Sequence, residues 1–316
     1  MSGEHVDVSV VVCTRDRAER LGRSVASVRE ALDVAADAGL TTELVVVDNG
    51  SRDGTASLVD DVAAQDSRVR RVGEPVAGIG RARETGARAA RGAVIAYTDD
   101  DVVVPPHWLV ALTAPVRAGE ADVVAGGVRM ADDLERPWMT DLLRASYFAH
   151  VPEPPAVSPC PMGANVALSR AVLDTLSFDP MLGTARYPGA EDVVLYVQAL
   201  EAGFRVRGVA DAVVRHHFSP DRLDADRLGR QAEGYGRCDA FLYHHWLHTR
   251  LRWQRARLAA HGARLALRRA LARDGFDERL LQARRELAFH REMLRLRPVP
   301  PRYDERGLVL RPEAAG

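Results

Sequence analysis

The sequence predicts an α/β protein: a mostly parallel central sheet flanked by helices, with a helical extension at its C-terminal end. Three observations predict it. Short β-branched runs alternate with helix-period segments through the N-terminal third, the pattern of a parallel sheet with right-handed crossovers. Those runs end in polar clusters, and in such sheets the ligand lies beyond the carboxyl ends of the strands. From Asp224 onward the pattern is helical almost to the end.

The bulk properties are compatible with this. At 316 residues, 47% apolar, the chain has room for one large α/β domain with an appendage, or for two domains. A net charge of −1 offers no general argument for nucleic acid as a partner. All 43 basic residues are arginine, and nothing functional follows from that. Cys13, Cys160 and Cys238 are odd in number, far apart and without CxxC spacing. They read as reduced thiols rather than a disulfide framework or a zinc site. The opening MSGEHVDVSVVV has neither the basic region nor the long apolar run of a signal peptide. No window reaches the roughly 18 apolar residues of a spanning helix. The expected location is the cytoplasm, in solution or peripheral at the inner face of a membrane.

Val6–Cys13 reads as a strand ending in Thr14-Arg15-Asp16-Arg17. A helix follows from Ala18 to Ala38, with Leu21, Val25, Val28 and Leu32 on one face and Gly39 as its stop. Glu43–Val47 is a second strand, ending at Asp48-Asn49-Gly50, a sequence that suits a plain turn as well as a ligand contact. Thr55–Gln65 is helical, Val69–Val72 a short strand, and Gly78–Arg91 a helix opened by a glycine-rich turn.

The next stretch, AVIAYTDDDVVVPPHW over Ala93–Trp108, organises the rest. A buried strand at Val94–Tyr97 runs into Asp99, Asp100 and Asp101. Alternation along an extended chain would put Asp99 and Asp101 on one face and Asp100 on the other. Three adjacent carboxylates repel one another in a partly dry site unless a cation sits among them. Hard oxygen donors suit Mg²⁺ or Mn²⁺; a hydrated acidic turn is the plainer alternative.

His107–Ala118 then reads as a helix, Ala121–Met130 as a strand and Met139–Ala149 as a short amphipathic segment. VPEPPAVSPCP, over Val151–Pro161, is a proline-rich loop. A strand starts at Gly163-Ala164-Asn165, a helix covers Arg170–Leu176 and another covers Asp192–Ala202. Glu191-Asp192 at that helix start is explained by the macrodipole, or by a need for a general base ionised at neutral pH. A last strand, Ala212–Val214, precedes His216-His217. Three arginine-rich helices are expected at Arg227–His248, Arg250–Arg273 and Asp277–Arg295, then a loose tail over 298–316.

The ordered set CTRDR, VVVDNGSRDGT, GIGRARETG, YTDDD, GANVALSR, FDPMLG, GAEDVVL and VRHHFSPDR resembles the family-2 glycosyltransferases of the GT-A fold. The resemblance covers about residues 6–235 and implies the site assignments. Thr14 and Asp48 match positions that hold the nucleotide base and ribose, and Arg83 matches an arginine that also touches the nucleotide. Glu84 stands where the family usually has asparagine. Asp99 and Asp101 match the ends of the DxD motif, with Asp100 between them on the donor side and Asp101 the direct metal ligand. Asp192 is implied as the general base, with Glu191 orienting the site. His216 is implied as a third metal or diphosphate contact, and Arg222 as a contact to the departing diphosphate.

The expected activity is therefore metal-dependent, inverting transfer of a sugar from a nucleotide-diphosphate sugar to a hydroxyl acceptor of unspecified class. A sugar nucleotidyltransferase is disfavoured because Cys13-Thr14-Arg15-Asp16 is not a glycine-rich phosphate loop. The third reading, an inactive sugar-nucleotide-binding scaffold, is disfavoured by the intact acids. The expected domains are 1–235 for the transferase, with a nucleotide-sugar half to 104 and an acceptor half from 105, then 236–297 for the helical extension. That extension is open to three uses: a hairpin packed on the catalytic domain, a homodimer contact, or a basic surface on anionic lipid.

Overall fold

The protein was described from a computed structural model, which defines residues 5–154, 162–271 and 278–303. In chain order the first half comprises β1 (Val8–Thr14), α1 (Ala18–Asp37), β2 (Thr42–Asp48), α2 (Thr55–Gln65), β3 (Val69–Gly73), α3 (Ile79–Ala89), β4 (Val94–Asp99) and β5 (Val102–Val103). The second half adds α4 (Trp108–Arg117), β6 (Val123–Met130), α5 (Asp141–Phe148), β7 (Asn165–Ser169), α6 (Arg170–Thr175), α7 (Glu191–Glu201) and β8 (Val206–His216). The extension consists of α8 (Ala225–Phe241), α9 (Gln254–Leu271) and α10 (Glu278–Leu296).

The strands form one sheet in the order β3-β2-β1-β4-β7-β6-β8-β5. β1 pairs parallel with β2 and β4, and β2 parallel with β3. β7 runs antiparallel between β4 and β6, while β6 and β8 are again parallel. β1 is buried along its whole length, because helices cover both faces of the sheet. Val8, Val10 and Val12 pack with Leu21 and Val25 of α1 and Trp108 of α4. Val11 and Cys13 face the opposite layer with Ala82 of α3 and Leu195 of α7.

Helix α3 lies unusually close to its surroundings. A Cβ at Gly86 would come within 2.4 Å of the Val11 side chain, and one at Gly80 within 2.7 Å of the Asp179 carbonyl. Only glycine lets α3 sit this low on the sheet.

Two expectations need correction here. The last strand is not confined to Ala212–Val214: β8 spans 11 residues. Exposed Arg207, Asp211 and Arg215 interrupt its apolar pattern, and its register against β6 slips between Gly126 and Gly127. The helix expected over Arg227–His248 ends at Phe241 and passes through a π turn, Leu242–Trp246. His248 and Trp253 then take positive φ values of 50° and 59°, and α9 starts only at Gln254.

The extension packs against the α/β body. α10 lies along α8, where a Cβ on Gly236 would meet the Arg285 carbonyl at 2.1 Å. Several arginines face inward instead of solvent: Arg285 pairs with Asp239 and Arg284 with Glu233. The boundary expected at 235/236 falls inside α8. The loose tail expected from 298 is held at its described start, since Tyr303 is buried and hydrogen-bonded to Asp179. Residues 304–316, 272–277 and the Pro155–Pro161 part of the proline-rich loop lie outside the described residues. No described helix is long and apolar enough to cross a membrane.

Candidate active site

The sheet register brings the strand-end residues together. Thr14 pairs with Asp48 across β1 and β2, and Cys13 with Asp99 across β1 and β4. Beyond this edge opens a cleft of about 490 Å³, lined by Thr14, Arg83, Asp99–Asp101, Glu191, His216 and Arg222. That volume suits a bound small molecule.

The acidic triplet departs from simple alternation. β4 ends at Asp99 and the chain turns at Asp100 and Asp101, so Asp100 is not directed away from its neighbours. All three acids line the cleft. Thr14 Oγ1 donates to Asp100 Oδ2 at 2.8 Å. Burial, followed by the like charge of Asp101, pushes the Asp100 carboxyl up to about 7. Asp101 is also buried, but His216 at 3.2 Å and Arg17 at 3.4 Å hold its carboxyl below the usual range. The Asp99 side chain remains one-third exposed.

Arg83 is the buried hub. Nη1 donates to Glu191 Oε1 at 2.5 Å and Nη2 to Asp99 Oδ1 at 3.1 Å. Burial opposes its charge, yet Glu191 and Asp99 more than compensate and raise its pKa. The second oxygen of Glu191 is buried without a hydrogen-bond partner among the described residues. A buried acceptor left open in this way is costly, and it marks a place where a ligand hydroxyl would be welcome.

Asp192 takes a different position. It is half-buried, Oδ2 accepts the Gly163 N–H at 2.9 Å, and the side chain lines an apolar pocket behind Arg83 with Tyr97, Phe178 and Leu195. Asp48 does not line the cleft; its Oδ1 accepts the Ser51 N–H at 2.9 Å. Arg222 closes the opposite rim, donating to the Tyr147 carbonyl at 3.1 Å with its guanidinium 4.9 Å above the Phe218 ring.

Two cleft residues escaped sequence reasoning. Arg17 sits inside CTRDR and reaches Asp101. Asn49 accepts the Gly78 N–H at 2.8 Å and donates to the Glu74 and Val76 carbonyls, stapling the loop after β3 to the cleft. The Asp48-Asn49-Gly50 turn was the signal for the second, but its amide is spent on backbone groups.

Among the described residues no three His, Cys, Asp or Glu side chains form a complete metal cage. The donor chemistry nevertheless fits a hard divalent ion that keeps open positions. Asp101 Oδ1 and His216 Nε2 are 3.2 Å apart, close to the roughly 3 Å between adjacent ligands of an octahedral ion with bonds of about 2.1 Å. His216 Nδ1 lies 3.3 Å from the Phe148 carbonyl. Donation to that carbonyl orients the ring so that Nε2 faces Asp101.

The chain is similar to several known proteins. The Pre-mycofactocin glycosyltransferase of Mycobacterium tuberculosis is 30% identical over 219 residues, 67% of this chain and 43% of that protein. Glycosyltransferase AglD of Haloferax volcanii is 34% identical over 136 residues, 42% of this chain and 21% of that protein. The chain thus spans less than half the length of these curated relatives. The mannosyltransferase PcManGT of Pyrobaculum calidifontis, solved with GDP-Man and Mn²⁺, has the same fold at a TM-score of 0.59 and 20% identity, covering 92% of this chain and 88% of that one. The S. aureus TarS 1–349 structure with UDP gives a TM-score of 0.50 at 17% identity, covering 93% and 92%. The profile described as Glycosyl transferase family 2 matches residues 9–177; the chain belongs to that family and has the GT-A fold.

Proposed function

We propose that the protein transfers a sugar from a nucleotide-diphosphate sugar to a hydroxyl acceptor, with inversion at C1. The observation that carries this reading is the shared cleft, in which Asp99–Asp101, His216 and Arg222 face Glu191 across the Arg83 hub. The GDP-Man, UDP and Mn²⁺ in the two similar structures support a nucleotide-sugar donor and a divalent ion.

Thr14 lies on the donor side at the end of β1, Asp48 at the end of β2 takes the base and ribose where they extend beyond the cleft, and Arg83 sets Asp99 and Glu191 beside the donor. Asp101, Asp99 and His216 would hold Mg²⁺ or Mn²⁺, which supplies charge neutralisation for the departing diphosphate. Arg222 adds a guanidinium to the same leaving group. Asp192 takes the acceptor proton. Glu191 is committed to the buried pair with Arg83, whereas Asp192 stays half-exposed beside Gly163. As the acceptor oxygen bonds to C1, the C1–O bond breaks and its electron pair leaves with the nucleotide diphosphate. Residues 1–104 supply most of the donor side and 105–235 the acceptor side.

Thermal-shift screening against nucleotide-diphosphate sugars with Mn²⁺ tests this reading. A ligand at a hundred times its dissociation constant adds about 2.7 kcal/mol to stability. No shift with any donor, with or without metal, overturns it.

A further inference from the structure

A cavity larger than the candidate active site lies away from it. It is an open groove of about 1200 Å³ in the helical extension, between the segment that joins the π turn to α9 and the end of α10. Its basic lining includes Arg250, Arg252, Arg255 and Arg297, with no acidic residue among the described residues that line it. All four arginines are exposed, and none has an ion-pair partner among the described residues. This sets them apart from Arg284 and Arg285 nearby, which are spent on Glu233 and Asp239.

Apolar side chains stand in the same region. Trp253 is 76% exposed, Leu247 55% and Val299 42%. Trp253 also holds a φ of 59°, a backbone region that bulky residues avoid. An outward tryptophan on strained backbone, ringed by uncompensated arginines, suits a partner with anionic groups above an apolar layer. Tryptophan settles at the headgroup level of a bilayer, and arginine stems lie along apolar surface while their heads meet phosphate.

We propose that this face lies on an anionic membrane surface, with Trp253 and Leu247 inserted at the headgroup boundary and Arg250, Arg252, Arg255 and Arg297 on lipid phosphates. The uncompensated positive charge favours lipid over a second copy of the same face, which would set arginines against arginines. The surface is remote in sequence from the cleft residues, so its test is independent of the transferase reading.

The experiment is co-sedimentation of the full chain with vesicles of mixed phosphatidylglycerol and phosphatidylcholine, against phosphatidylcholine alone. Binding is expected to the anionic vesicles only, and to weaken as ionic strength rises and the Debye length shortens to about 8 Å at 0.15 M. Trp253→Ala should weaken partitioning on the order of tenfold. Arg250→Gln and Arg252→Gln should each weaken it about fivefold. All three sites are exposed, and unchanged melting curves would confirm that the variants fold. Absence of pelleting with anionic vesicles at low salt overturns the proposal, as does wild-type binding by a variant carrying Trp253→Ala, Arg250→Gln and Arg252→Gln together. A dimer in sedimentation velocity that Trp253→Ala abolishes, without vesicle binding, assigns the face to a second copy and also overturns it.

Discussion

The Tyr303 phenol donates to the Asp179 carboxylate across 124 positions of sequence, inside the protein. Asp179 is fully buried, and Arg302 adds a second contact to Oδ2 at 3.2 Å. The loop that Asp179 opens continues through Gly183 and Thr184, which line the candidate active-site cleft. Further along it, Arg186 and Tyr187 are held by Glu292 of α10. The end of the described chain is thereby attached to the rim of the candidate active site.

Tyr303→Phe should therefore destabilise the fold by about 1–3 kcal/mol, because a buried carboxylate loses a donor. Chemical unfolding measures this. The same variant should bind donor more weakly than wild type in calorimetric titration, since the rim loses an anchor. Wild-type stability would show that the contact contributes nothing.

Acid should loosen the same attachment. His245 Nδ1 accepts the Arg302 N–H at 3.2 Å, which requires a neutral ring. Burial first, and then His244, pushes the His245 pKa down to about 4, below the value near 6.5 expected in the unfolded chain. The unfolded state therefore binds the extra proton first, and this contribution to stability is lost as pH falls from about 6.5 towards about 4. Urea midpoints measured over that window should fall less steeply for His245→Asn than for wild type.

Asp101→Ala should abolish the metal-dependent tightening of nucleotide diphosphate. Calorimetric titration with and without Mn²⁺ checks it, with circular dichroism as the folding control. Metal dependence equal to wild type would remove Asp101 from the proposed ligands.

Asp192→Asn should leave donor affinity near normal and lower kcat by about 10²–10⁴-fold, the share a general base supplies. Helix α7 should tolerate the change, because asparagine is well suited to helix starts. Glu191→Gln should instead disturb donor binding, through the loss of its pair with Arg83. If Glu191→Gln alone stops turnover with binding intact, the base is Glu191.

Much of the fold was readable from local pattern. β1, β2 and β4 are runs rich in β-branched residues and buried on both faces, and their ends place Thr14, Asp48 and Asp99 on one edge without tertiary knowledge. β8 was under-read because it carries exposed charges and a register slip, which blur a period of two. The acidic triplet was misdirected because alternation stops where the strand does, at Asp99. The roles of Asp179, Arg302 and Tyr303 were not legible at all. A buried carboxylate satisfied from the far end of a chain leaves no signature in its own neighbourhood.

The close seat of α3 bears on how this site can drift over generations. Arg83 lies between Gly80, which abuts the Asp179 and Leu182 carbonyls, and Gly86, which abuts Val11. Adding even one methyl group at either glycine would lift the helix and draw the guanidinium away from Asp99 and Glu191 together. The position of the central cation therefore has no gradual neighbours in sequence space. At the rim, change is open at the exposed Ala185 but not at Gly183, where a Cβ would meet the Ile79 side chain at 2.0 Å and the Gly80 nitrogen at 2.9 Å and so unseat α3 as well.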